Sequence, residues 1–206
     1  MKRCVIIGGA DIKNYEYIRT LFKEDDYFIF CDCGLKHREN LCVEPDLIVG
    51  DFDSFDNPHC DIETIVLPTV KDDTDTFFAV KEAVKRGYGD FLLLGIIGAR
   101  FDHTMGNISI LLHLYEQGKN ALIVDDYSLM EIVGKDPKFV EDGFSYFSLL
   151  NVTGRAKGIT VENAKYNLSD AEITPFFQYG ISNEVLKGKS AKVTVKDGEL
   201  LLVKVF

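Results

Sequence analysis

No run of lysine and arginine interrupts this 206-residue sequence, and its formal net charge at pH 7 is −10. That absence argues against a nucleic-acid binder, which carries a basic face to neutralise phosphates. Long apolar stretches are missing too, and none approaches the roughly 20 residues of a membrane span. The first apolar run, Cys4-Val5-Ile6-Ile7 behind Lys2 and Arg3, meets Gly8-Gly9 and Asp11, too soon for a secretory signal. Cysteines are few and odd in number, five in all, so a disulfide framework is not expected and the thiols are expected to be reduced, as in a cytoplasmic protein. Cys31, Cys33, His37 and Cys42 have zinc-ligand chemistry, but no second close cysteine pair of the usual spacing accompanies them, and buried thiols fit better. Internal repeats and low-complexity linkers are absent. The composition, 46% hydrophobic and 27% charged, suffices for one large or two modest domains, each able to bury a core.

Hydrophobic periodicity divides the chain. Val5 to Ile7, Tyr27 to Cys31, Leu47 to Val49, Ile65 to Leu67, Phe91 to Leu94 and Ala121 to Val124 are short continuous apolar runs, the pattern of strands covered on both faces. Helical patterns lie between them. In one, Phe77, Val80 and Val84 repeat while Lys81 and Lys85 face outward and Gly87 supplies the stop; a second runs from about Thr104 to Gln117, with Met105, Ile108, Leu112 and Tyr115 as its expected buried stripe. Alternating strands and helices imply a mainly parallel α/β domain. After Asp125 the helical period disappears. Ser128 to Val133, Phe144 to Leu150, Gly158 to Val161, Lys192 to Lys196 and Glu199 to Phe206 read as strands, and Asp197-Gly198 reads as a two-residue hairpin turn. The expectation is an α/β domain over residues 1–133 followed by a smaller antiparallel β-sandwich over 134–206, entered through the turn from Gly134 to Pro137.

Acidic clusters fall where strands end. Pro45-Asp46-Leu47-Ile48-Val49-Gly50-Asp51-Phe52-Asp53-Ser54 runs an apolar strand straight into a glycine and two carboxylates. Lys71-Asp72-Asp73-Thr74-Asp75, Gly98-Ala99-Arg100-Phe101-Asp102-His103 and Asp125-Asp126 follow at other loop positions. Magnesium prefers oxygen ligands and typically takes one or two carboxylates plus nucleotide phosphates, while Lys71 and Arg100 supply charge for the remaining phosphate oxygens. Each cluster has a plainer reading. Asp51 and Asp53, or Asp72 to Thr74, would also cap helices, and His103 would cap the helix that follows it. Arg100 and Asp102 would also form a surface ion pair. Repetition favours the site, because the carboxyl ends of strands are where open α/β sheets bind ligands.

In their order, these segments resemble the motifs of the thiamine pyrophosphokinases. Gly50-Asp51-Phe52-Asp53-Ser54 is similar to the most characteristic motif, Lys71-Asp72-Asp73-Thr74-Asp75 to the second, and Gly98 to His103 with Asn107 to the third. Farther on, Lys165-Tyr166-Asn167-Leu168 and Ser182-Asn183-Glu184 resemble the thiamine-recognition segment. The chain departs from the family at Cys33, in Cys31-Asp32-Cys33-Gly34, and at Ala99, each standing where a glycine is common.

The resemblance implies transfer of the β,γ-pyrophosphoryl group of ATP to the hydroxyl of thiamine, giving thiamine diphosphate and AMP. It implies Asp51, Asp53, Asp75 and Asp102 as catalytic carboxylates and holders of magnesium. Asp32, Gly34, Lys71, Thr74, Arg100 and Asn107 become ATP contacts, and Tyr166, Ser182 and Asn183 thiamine contacts. It also implies a homodimer whose active site draws on both subunits. Two other readings stay open at this point: a pyrophosphokinase for another heterocyclic alcohol, such as a pterin, or a non-catalytic nucleotide or thiamine sensor.

Overall fold

Val5 to Ile7, Leu47 to Val49 and Phe91 to Leu94 are buried on both faces because they form the interior of a parallel sheet, whereas Val66, in the run that forms its edge strand, is 61% exposed. The computed structural model describes residues 1–53, 61–70, 72–98 and 100–206; Ser54, Lys71 and Ala99 lie outside the described residues. The chain divides into two compact units, Met1–Asp126 and Tyr127–Phe206.

In the first unit, β1 (Arg3–Ile7), β2 (Tyr27–Cys31), β3 (Leu47–Gly50), β4 (Thr64–Val66), β5 (Asp90–Leu94) and β6 (Asn120–Val124) are ordered β4-β3-β2-β1-β5-β6. Every pairing among them is parallel. Cys4 to Ile7 and Leu47 to Val49 are almost wholly excluded from solvent, which explains their unbroken apolar sequence. Four helices, α1 (Tyr15–Thr20), α2 (Arg38–Leu41), α3 (Asp75–Lys85) and α4 (Phe101–Glu116), connect the strands, with a 3-10 turn over Asp32–His37. Successive strands β1 to β4 build in one direction and β5 and β6 in the other, so the order reverses between β1 and β5, the crevice where such sheets bind ligands.

The side chain of Thr74 caps α3 by accepting a hydrogen bond from the Phe77 amide at 3.2 Å, and Gly87 beyond its end has φ +90°. In α4 the expected stripe is displaced. The helix begins at Phe101 and buries Asn107, Ile110, Leu111 and Leu114, whereas Met105 is 44% exposed. The helix is apolar around much of its circumference, so period alone did not choose the face that packs against β6 and α3.

The second unit contains β7 (Ser128–Val133), β8 (Lys138–Glu141), β9 (Tyr146–Leu150), β10 (Ala156–Glu162), β11 (Leu168–Glu172), β12 (Ser190–Thr194), β13 (Asp197–Gly198) and β14 (Leu200–Val205). β14 lies between β7 and β9, antiparallel to both. The second sheet has the order β11-β10-β12-β8, with β13 added on β10. Val133, Phe147, Leu149, Leu200 and Leu202 from the first set of strands share one core with Val140, Ile159, Val161, Ala191 and Val193 from the second. This is the antiparallel sandwich expected from the period-two pattern.

Two details differ from expectation. The division falls between Asp126 and Tyr127 rather than after Val133, because β7 pairs along its whole length with β14. Asp197-Gly198 is not a hairpin turn: β12 and β14 belong to different sheets, and the dipeptide itself pairs with Ala156 and Lys157 of β10. Gly198 has φ +84°, and an added Cβ would stand 1.9 Å from the Arg155 carbonyl oxygen. Gly198→Ala is therefore expected to lower unfolding stability by about 2 kcal/mol or more, while Gly143→Ala, which meets nothing within 4 Å, should stay within about 0.5 kcal/mol. Chemical denaturation of the two variants measures the difference.

Candidate active site

Three adjacent places at the carboxyl edge of the sheet each supply a carboxylate. β2 ends at Cys31 and Asp32 follows; β3 ends at Gly50 and Asp51 follows; Asp75 opens α3. One oxygen from each of Asp32, Asp51 and Asp75 lies within 4.8 Å of the other two. The backbone is turned sharply to achieve this, since Asp32 has φ 33° and Phe52 φ 56°. For a bulky residue such as Phe52 that region costs on the order of 1–3 kcal/mol and is held only by its surroundings. The Asp53 amide donates to Asp51 Oδ1 at 3.3 Å, which fixes the turn between the two aspartates.

Gly34 allows the 3-10 turn to lie against β1. A Cβ there would fall 2.2 Å from the Ile7 carbonyl oxygen. The turn is tied further to the loop after β1: His37 Nε2 donates to the Ala10 carbonyl at 2.8 Å, Tyr15 donates to His37 Nδ1 at 2.7 Å, and Lys36 pairs with Asp11 at 2.8 Å. Burial holds the His37 ring below its usual pKa, consistent with a neutral ring bonded at both nitrogens. Asp126, beyond β6, accepts the Lys13 and Asn14 amides at 2.9 and 2.8 Å.

Asp32 is the most confined of the three, 8% exposed. Its Oδ1 is buried with no hydrogen-bond partner among the described residues, and its Oδ2 accepts from Cys33 Sγ at 3.4 Å. Burial pushes its carboxyl above the usual range, the Cys33 hydrogen bond lowers it, and neighbouring Asp75 raises it again. An unsatisfied carboxylate oxygen beside two further carboxylates fits a hard divalent cation with an all-oxygen shell.

The segment after β5 carries Arg100 and Asp102. Arg100 Nη2 lies 2.6 Å from Asp102 Oδ2, and both side chains are well exposed. The Arg100 guanidinium holds the Asp102 carboxyl down at about 2. Asp102 is not part of the Asp32, Asp51 and Asp75 group. Asn107 is buried and donates to the Ile96 carbonyl at 2.7 Å, so its amide holds the loop leading to Arg100. Thr74 is the cap of α3, one residue before Asp75.

In the second unit the two segments of the expected recognition motif adjoin each other. Asn183 Oδ1 accepts the Tyr166 amide at 3.0 Å and the Glu184 amide at 2.9 Å, while its Nδ2 donates to the Tyr166 carbonyl at 2.8 Å. Asn183 is buried, and Tyr166 is 61% exposed. Lys165 stands 5.7 Å from the Tyr166 ring centroid and pairs with Glu184 at 2.7 Å. Ser182 has φ 57° and its amide donates to Ser148 Oγ at 3.0 Å.

The structure thus gathers Asp32, Asp51 and Asp75, keeps Asp53 beside Asp51, and pairs Arg100 with Asp102; Lys71 lies outside the described residues. The place of Asp32 in the carboxylate group was not read from the sequence, where it stood with the phosphate contacts. Its signal was positional: it follows β2 directly, as Asp51 follows neighbouring β3.

The chain matches two family models, the catalytic domain of thiamin pyrophosphokinase over residues 18–123 and its vitamin B1 binding domain over residues 137–200. It is 25% identical over 212 residues to the thiamine pyrophosphokinase of Bacillus subtilis (strain 168), covering 99% of each chain. Among solved structures, it resembles thiamine pyrophosphokinase from Bacillus subtilis at TM-score 0.88 and 21% identity, covering 99% of both chains. It also resembles thiamin pyrophosphokinase from Candida albicans at TM-score 0.81 and 14% identity, covering 99% of this chain and 89% of that one.

Because the Asp32 carboxyl titrates above its unfolded value, the folded state binds this proton more tightly than the unfolded chain. Its contribution is fully present below the unfolded carboxylate range and is lost as pH rises through the folded value. Asp32→Asn, which tolerates the positive φ, is expected to unfold at a higher temperature than the parent in metal-free buffer at pH 7, with the gap closing towards pH 4. Thermal melts across that range check the sign.

Proposed function

The chain belongs to the thiamine pyrophosphokinase family, and we propose that its two units divide the work, the first handling metal and nucleotide and the second recognising thiamine. The enzyme is an ATP-dependent diphosphotransferase that moves the β,γ-pyrophosphoryl group of ATP to the hydroxyl of thiamine, giving thiamine diphosphate and AMP. The observation that carries the division is the group of three carboxylate oxygens within 4.8 Å of one another in the first unit.

Such a transfer needs donor and acceptor in line and developing phosphate charge offset, with little covalent work by the protein. Asp32, Asp51 and Asp75 would hold magnesium, with Asp53 and Asp102 oriented to its waters. Magnesium, when bound, would neutralise charge on the transferring phosphates. Arg100 and Lys71 bind phosphate oxygens; the Arg100 pair with Asp102 is exposed and exchanges partners at little cost. Thr74 and Gly34 line the phosphates, while Asn107 holds the loop that carries Arg100. One of the carboxylates accepts the proton of the thiamine hydroxyl.

On the acceptor side, the exposed Tyr166 ring stacks on the thiamine rings, with Ser182 as a polar neighbour. Asn183 positions Tyr166 through the backbone on either side of the ring and keeps one amide hydrogen for the substrate. Large exposed apolar side chains, Phe101 and Met105 in the first unit and Phe176 and Phe177 in the second, support a homodimer with shared sites, and a sequence with five cysteines, an odd number, fits a reducing cytoplasm.

Release of AMP from ATP, measured with and without thiamine, tests the reaction. Asp51→Asn should reduce turnover by about 100-fold or more, and magnesium should raise the thermal midpoint of the parent but not of this variant. Near-normal turnover in Asp51→Asn would remove it from the metal site. Tyr166→Ala should raise the thiamine KM about 2- to 30-fold with the ATP KM unchanged, as loss of an aromatic face to a cation implies, and Tyr166→Phe should restore it. If sites are shared, mixing Asp53→Asn protein with Tyr166→Ala protein at a thiamine concentration well below the KM of the latter should raise activity above the sum of the two through hybrid dimers. Absence of recovery with subunit exchange confirmed by mass would assign each site to one chain.

A further inference from the structure

Cys33 directly follows Asp32, and its side chain reaches the most buried carboxylate of the cluster. We propose that the Cys33 thiol is a positioning residue for the metal site: its S–H holds Asp32 Oδ2 so that Oδ1 faces the cation. The inference rests on the reading of Asp32 as a metal ligand.

Three observations meet at this residue. Cys33 Sγ lies 3.4 Å from Asp32 Oδ2 and is the one side-chain donor to that carboxylate among the described residues. The other oxygen, Oδ1, is buried and has no hydrogen-bond partner among the described residues, on a side chain more than nine-tenths excluded from solvent. Asp32, Asp51 and Asp75 nevertheless bring their oxygens within 4.8 Å of each other. A carboxylate with one oxygen fixed and the other unsatisfied presents a single directed ligand. Outer donors of this kind orient metal ligands, and their loss commonly weakens metal binding by 10- to 100-fold. A thiol is a weak donor, which places the expected effect at the lower end. Without the thiol the carboxylate would keep, among the described residues, only the backbone amide of residue 33 as a donor.

The test uses Mn2+, which takes the same oxygen ligands, titrated into the full-length protein without nucleotide and read by electron paramagnetic resonance. Cys33→Ala should weaken Mn2+ binding about 10-fold and raise the Mg2+ concentration needed for activity, with kcat at saturating Mg2+ and the metal-free thermal midpoint retained. Cys33→Ser, which keeps a hydroxyl donor, should bind Mn2+ within about 2-fold of the parent. Parent-like affinity in Cys33→Ala overturns the proposal, as does equal weakening in the alanine and serine variants. Asp32→Asn separates the two claims. If it binds Mn2+ like the parent, Asp32 is not a ligand and the underlying reading fails; if it loses binding while Cys33→Ala does not, only the role of Cys33 fails.

Discussion

Three carboxylates held within 4.8 Å of one another are the constraint around which the first unit is organised. At an effective permittivity of about 20, two unit charges at that separation repel by roughly 3 kcal/mol, and the three pairs would drive the loops apart if the framework yielded. It does not yield because each aspartate is attached to something already buried. Asp32 and Asp51 follow the apolar strands β2 and β3, and Asp75 begins a helix packed on β1, β2 and β3. The sheet's apolar burial is spent partly on keeping like charges together, the arrangement expected of a site that binds a cation.

The two units treat their recognition groups differently. In the first, the clustered aspartates follow strands or begin a helix, and backbone geometry sets them. In the second, the exposed ring of Tyr166 depends on the side chain of Asn183, which bonds both polar groups of the Tyr166 backbone. An asparagine holds such a clamp with its carbonyl oxygen and one amide hydrogen, and Asn183 is 8% exposed. Serine and asparagine side by side suggest direct substrate hydrogen bonds when read as letters. Folded, the asparagine side chain also supports the backbone that carries the exposed tyrosine.

Much of this was legible in the sequence for physical reasons. Strands buried on both faces leave no room for polar residues, so β2 is delimited at Tyr27 and Cys31 by its apolar run alone. The acidic clusters could be placed because they follow such runs. What stayed hidden lacked a one-dimensional trace. β11, Leu168–Glu172, is an edge strand of mostly polar side chains with an irregular register, so alternation did not reveal it. The Asp197-Gly198 pair obeys the glycine rule with φ +84° at Gly198, yet it joins two sheets rather than two paired strands, a distinction that turn chemistry does not encode. The buried face of α4 was misplaced because several faces are apolar and packing made the choice.

Proximity in space also explains why Asp32 was harder to group than Asp51. Asp51 announces itself through its neighbour Asp53, whereas Asp32 is flanked by Cys31 and Cys33 and meets its companions only when β2 lies beside β3. The contrast with Arg100 and Asp102 completes the argument. That pair is close in sequence, exposed and satisfied by itself, so its folded geometry contributes little. The cluster at Asp32 is distant in sequence, confined and under electrostatic load, so its geometry is set before any substrate binds. Carboxylates gathered before any ligand arrives suit a cation, whereas the Arg100–Asp102 pair is set by its own two exposed side chains.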